Sequence, residues 1–285
     1  TANGERVDEN TIYILRKDGV YWLDATISGT GYPIHIQAEE GDGHPPIIRP
    51  AVSLTGASSK LFQPRGDFTI KGLYLTHIDE NGALQKNIIR SSGENARITI
   101  DNCWFDYDEQ SFVRVDNDNQ KIYITNSKGR NNGRNDGSGN GRIVDTRGIP
   151  TDSIIVENST FYNFQANGLN TRGGGATINY LKINHNTFVD IAGSFQLSKA
   201  LELEFTNNLF TNVGHRGIGY ATDGPLPDVG IFEFDSVDEI EGISEADRSL
   251  YIGHNNFERK IDELQLDGVG YLMGPYRDEI QSIFD

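Results

Sequence analysis

Arg90, Arg114, Asp145, Asn170 and Gln196 fall at matching places in successive repeats of the chain, and Asp116, Arg147, Arg172 and Ser198 form an adjacent series. Arginine presents a planar fork that matches a carboxylate or sulfate. Asn and Gln both donate and accept, which suits sugar hydroxyls. Aligned along one wall, these side chains would hold an anionic, hydroxyl-rich polymer. A solvated face of compensating Arg–Asp pairs would show the same residues, and the sequence leaves both readings open. The stretch 128–142 carries Lys128, Arg130, Arg134 and Arg142 against Asp136 and is expected beside the same groove, with a Gly-rich turn as the alternative. His215 and Arg216 precede an acidic run and offer a base and an anion clamp.

The elements that must position these residues are visible as a repeat. Six segments begin with an apolar residue, carry one to three Asn or His, and usually end in Phe: 100–105, 124–129, 156–161, 183–188, 205–210 and 252–257. Such recurrence implies stacked supersecondary units. Apolar residues alternate with period two around each segment, as in Leu201, Leu203 and Phe205, which predicts strands with one buried face. The second strand of each unit puts Val113, Val115, Val144, Leu169 and Phe195 inward. Arg114, Asp145, Asn170 and Gln196 then point outward. The fold expected is all-β, a single-stranded right-handed parallel β-helix.

Asn102, Asn126, Asn158 and Asn207, with His185 and His254 substituting, are expected in left-handed turns and in a bonded side-chain column. Phe105, Phe161, Phe188, Phe210 and Phe257 are expected to stack in the interior. The first 50 residues read as one opening rung. Residues 1–9 read as an extension, 10–257 as the β-helix with an acidic insertion at 222–248, and 258–285 as a cap or tail.

Charge narrows the partners. Acids number 41 and bases 25, a net charge of −16, which argues against nucleic acid. No apolar run reaches the roughly 18 residues of a membrane helix. Cys103 is the single cysteine, so neither an internal disulfide nor a thiolate metal cluster forms, and it reads as a small residue packed in a turn. Gly173 to Gly175 lack the Lys-Ser or Lys-Thr of a phosphate loop.

Two stretches carry a family resemblance. They are the opening run from Thr11 through Gly19, Tyr32 and Pro45 to Pro50, and the Asn-x-x-Phe rungs. Across about residues 10 to 257 the chain resembles secreted pectate-lyase-like β-helix proteins, the chondroitinase-B-like and alginate-lyase branch among them, and also β-helix domains of secreted Bacteroidetes proteins. The calcium motif and Lys-Ser signature of those lyases do not occur in it. The resemblance implies a secreted or cell-surface protein acting on an acidic, uronic-acid polysaccharide by β-elimination. Within that mechanism Arg147 and Arg172 would clamp the carboxylate, and Lys199 or His215 would remove the C5 proton. Asp116, Asp118 and Asp145 are the candidate ligands for calcium, a hard ion that takes oxygen donors. Arg90, Arg114, Arg130, Arg134, Asp145, Asn170 and Gln196 would bind substrate. Two rivals remain: a noncatalytic glycan-binding or structural subunit with partner proteins at the surface, and a hydrolase pairing Asp116 with Asp145.

Overall fold

The computed structural model describes residues 10–29, 32–53, 56–57, 60–133, 140–171, 176–197, 199–214, 232–234, 236–238 and 240–258. Their strands form three parallel sheets that run along one coil. The first sheet holds nine strands, from Ile12–Leu15 through Arg97–Asp101 and Ala200–Thr206 to Ser249–Gly253. The second also holds nine, from Val20–Leu23 through Trp104–Asp108, Lys128–Asn132 and Thr160–Phe164 to Asn256–Glu258. The third holds eight, from Ile27–Ser28 through Asn87–Ser91, Ser111–Val115, Arg142–Asp145, Leu169–Asn170 and Phe195–Gln196 to Phe232–Glu233. Each rung contributes one strand to each sheet in turn, so the chain is a parallel β-helix, and parallel crossovers favour the right-handed winding expected.

The repeat maps onto the corner between the first and second sheets. Asn102, Asn126, Asn158, His185, Asn207 and His254 all have φ between 51° and 57°. Asn adopts this left-handed geometry more readily than most residues, and it turns the chain in two residues. The bonded column, however, stands one residue further on. The amide of Cys103 donates to Ser127 Oγ, that of Ser127 to Ser159 Oγ, and those of Ser159, Asn186 and Asn208 to Asn186, Asn208 and Asn255 Oδ1. These inward residues satisfy amides that the turn would otherwise leave unpaired in the core. Cys103 is a buried free thiol at the start of this column.

Phe161, Phe188, Phe210 and Phe257 stack at centroid distances of 5.8, 5.1 and 4.8 Å. Burying each such ring contributes roughly 1.5–3 kcal/mol. The column breaks at Gly129, where Phe112 from the third sheet fills the gap and stacks on Phe105 at 5.0 Å. A Cβ on Gly129 would lie 2.4 Å from Phe112 and 2.7 Å from Phe161, so only glycine fits there.

Three expectations need correction. The first 50 residues give strands to two rungs, because Ile34–Ala38 and Ile47–Pro50 pair in parallel with Ile12–Leu15 and Val20–Leu23. Lys128–Asn132 is a strand of the second sheet, so this part of the 128–142 stretch is neither a Gly-rich turn nor beside the third-sheet groove. The acidic run is interrupted by Phe232–Glu233, which pairs with Phe195–Gln196 as a terminal strand of the third sheet. Residues 1–9 and 259–285 lie outside the described residues.

Candidate functional site

The third sheet brings Arg90, Arg114, Asp145 and Asn170 into one column by register, and Gln196 continues it on the next strand. Val113, Val144 and Leu169 alternate with them and enter the core. The ends of these strands bend the side chains toward one another. Asp116 accepts from Arg90 and, at 2.9 Å, from Arg114 Nε. Asp145 accepts from Arg142 Nη1 at 3.1 Å, Arg147 Nε at 3.2 Å and Asn170 Nδ2 at 2.9 Å.

Arg147 reaches Asp145 because its backbone is left-handed, with φ 50° followed by Gly148 at 77°. That geometry in a non-glycine residue costs roughly 1–2 kcal/mol. It folds the guanidinium back over Asp145, whose side chain is only 1% exposed, while Arg147 itself remains 45% exposed. Gln196 is likewise buried, although alternation points it outward. Burial lowers the pKa of Arg142 from its usual value, and the nearby Asp145 opposes that shift. The wall is therefore a set of oriented, charge-compensated arginines.

Several nominated residues do not join it. Asp118 is exposed in a turn, where its carbonyl accepts from the Asn95 amide. Lys199 occupies the turn before Ala200–Thr206, and its carbonyl accepts from Ile178. Arg134, Arg172, Ser198 and His215 lie outside the described residues. Among the described residues no three His, Cys, Asp or Glu side chains gather as a metal group. Asp116 and Asp145 already accept from two guanidinium groups each, so this donor set does not fit calcium.

Arg130 belongs to a different face. Its register partners are Asp106 and Tyr162 on the second sheet. It donates to Asp106 through Nε at 2.8 Å and Nη2 at 2.7 Å, and through Nη1 to the Tyr162 hydroxyl at 3.3 Å. The Asp106 bond foremost, then those to Tyr162 and Tyr74, raises the Arg130 pKa further above its usual value. Tyr74 Oη donates to Asp106 at 2.7 Å, and its pKa is raised by burial first and by Asp106 second. Trp104, Tyr74 and Tyr162 around it escaped the sequence reading, and Lys128, expected beside the third-sheet groove, stands with them on the second sheet. The signal was present: the residue just before each interior Phe must face outward, and Trp104 and Lys128 occupy that place in two units.

Between the second and third sheets, His77 Nδ1 and Asp108 Oδ1 lie 2.7 Å apart with both side chains fully buried. Burial lowers His77 to about 3 and raises Asp108 well above the usual carboxylate value. Both shifts disfavour the charged forms of the pair, and burial is the cause of each. His77 Nε2 has no hydrogen-bond partner among the described residues.

No protein-family model and no curated protein matches the chain. Among solved structures, the PL6 family alginate lyase AlyGC is similar, with a TM-score of 0.46 and 17% identity over 86% of this chain. The chain spans 36% of the length of that protein.

Proposed function

We propose that this chain binds an acidic polysaccharide along the outward wall of the third sheet, outside the cell or at its surface. One observation carries the reading: Arg90, Arg114, Asp145 and Asn170 stand in register on consecutive rungs. Rungs repeat at about 4.8 Å, so guanidinium and amide donors recur along the coil axis beside an extended polymer. Asp116 and Asp145 hold the arginines in fixed orientations, which reduces the ordering cost when a carboxylate or sulfate arrives. Guanidinium groups carry their charge as a rule, which suits charge recognition and not proton abstraction. Binding is therefore the activity these residues support.

The test incubates the protein with alginate, pectate, chondroitin sulfate and ulvan, with and without added calcium. Affinity and the absorbance of unsaturated products are read in parallel. The expected result is binding without new absorbance, weakened about tenfold in Arg114→Ala and in Arg147→Ala. Unchanged far-UV circular dichroism would show that these variants remain folded. Rising absorbance would replace this reading with a lyase. Binding to none of the four polymers would end it.

A further inference from the structure

The outward face of the second sheet carries a patch that the third-sheet reading does not use. Its register aligns Tyr74, Trp104, Lys128 and Thr160 in one column and Asp106, Arg130 and Tyr162 in the next. Four rungs at this spacing span about 14 Å. Trp104 is 40% exposed and Tyr162 38%, large rings that a sheet facing only water has no reason to display. Tyr74 and Trp104 lie 5.9 Å apart at a tilt of 58°. Together with Lys128, Arg130 and Tyr162 they border a shallow groove of about 410 Å³.

Charge identifies the occupant. Lys128 Nζ sits 4.7 Å above the Trp104 ring and has no carboxylate partner among the described residues. The chain as a whole carries −16, so an uncompensated cation held over an exposed aromatic face is against the trend of the sequence. Arg130 beside it is neutralised by Asp106, whose side chain is buried and already accepts from Tyr74, Arg130 and Asn131. Asp106 thus acts as a positioning residue that fixes the groove before a ligand arrives. The negative face of an aromatic ring attracts the polarised C–H bonds of a pyranose, and an ammonium group attracts a carboxylate or sulfate.

We infer that the second sheet carries a separate saccharide-binding site, in which an acidic pyranose stacks on Trp104 and Tyr162 and places its anionic group on Lys128. The site uses no residue of the third-sheet wall, and it stands whether or not that wall binds polymer.

The full chain is titrated with oligogalacturonate, alginate oligosaccharides, chondroitin sulfate oligosaccharides and neutral cello-oligosaccharides. Trp104 fluorescence is read in a Trp22→Phe background, which leaves one tryptophan, alongside calorimetry. Acidic oligosaccharides should change the fluorescence, and neutral ones should not. Lys128→Gln should weaken that response about tenfold. In calorimetry, Trp104→Ala should remove the second-sheet binding and Trp104→Phe should retain most of it. Arg114→Ala with Arg147→Ala should leave the fluorescence response in place. Thermal unfolding of each variant checks that the coil is intact. The inference is overturned by any of three results: no response to acidic oligosaccharides, equal response to neutral ones, or full affinity in folded Lys128→Gln and Trp104→Ala. If only the third-sheet variants lose affinity, this site is rejected while the proposed function stands. Self-association that disappears in Trp104→Ala, without saccharide binding, would assign the patch to a second copy of the chain and reject the site.

Discussion

The third-sheet wall and the second-sheet wall use similar residue types to opposite effect. On the third sheet Arg90, Arg114, Arg142 and Arg147 converge on two aspartates, and Asp145 is buried beneath its partners. On the second sheet one aspartate holds Arg130, while Lys128 and the rings of Trp104 and Tyr162 remain open to solvent. The difference teaches that a basic residue on a β-helix says little until its partner is known. Compensated arginines form a rigid, selective surface, whereas a lysine over an aromatic ring, with no carboxylate partner among the described residues, leaves interaction energy to be satisfied by a ligand.

The largest effect that would separate the walls comes from Asp145→Ala. It leaves Arg142, Arg147 and Asn170 without their shared acceptor, and removing one partner of a buried pair costs roughly 3–5 kcal/mol. Thermal denaturation should show a large fall in Tm. Lys128→Gln on the other wall should leave Tm nearly unchanged, and equal losses would erase the contrast.

The core shared by both walls is sharpened by Gly129→Ala. The added methyl meets Phe112 and Phe161 and should cost roughly 1–3 kcal/mol in chemical denaturation. Both binding surfaces should weaken together only as far as the rung is displaced.

The corner between the two sheets supplies a pH test. His77 has a lowered pKa, so the unfolded chain binds the extra proton between about 3 and its usual value of 6.5, and stability rises with pH there. Asp108 has a raised pKa, so the folded chain binds the extra proton above 3.8, and stability falls as pH rises toward the raised value. Above 3.8 the two slopes oppose each other. The pair therefore flattens the stability profile above 3.8, with a loss on the acid side where His77 alone titrates. Asp108→Asn keeps a donor for His77 and removes the opposing slope, so stability should rise with pH up to about 6.5, by at most about 1.4 kcal/mol per pH unit. Denaturant midpoints across the pH range would show it.

A small effect on stability is expected for Arg147→Gly. Glycine relieves the left-handed backbone while the exposed bond to Asp145 is lost, so the net change should stay within about 1 kcal/mol. Polysaccharide affinity should nevertheless drop about tenfold, which separates recognition from folding.

Much of this was legible in the chain. The Asn-rich corner, the Phe column from Phe161 to Phe257 and the alignment of Arg90, Arg114, Asp145 and Asn170 follow from period-two alternation fixed by the repeat. Compensating Arg–Asp pairs were one open reading, but which aspartate each arginine meets was not legible, because the fold-back of Arg147 depends on one left-handed residue that ordinary propensity does not favour. Arg130 was assigned to the wrong face because Gly129 replaces the Phe that marks a second-sheet strand elsewhere. Phe232–Glu233 was missed because two residues are too few to show alternation within an acidic run.

The central claim is that an acidic polymer lies along the third-sheet wall. A crystal structure of the protein soaked with oligogalacturonate tests it most directly. The account predicts sugar density running parallel to the coil axis, with carboxylates against Arg114 and Arg147. Full-occupancy density confined to another face, with Arg114 and Arg147 still bonded only to Asp116 and Asp145, would contradict it.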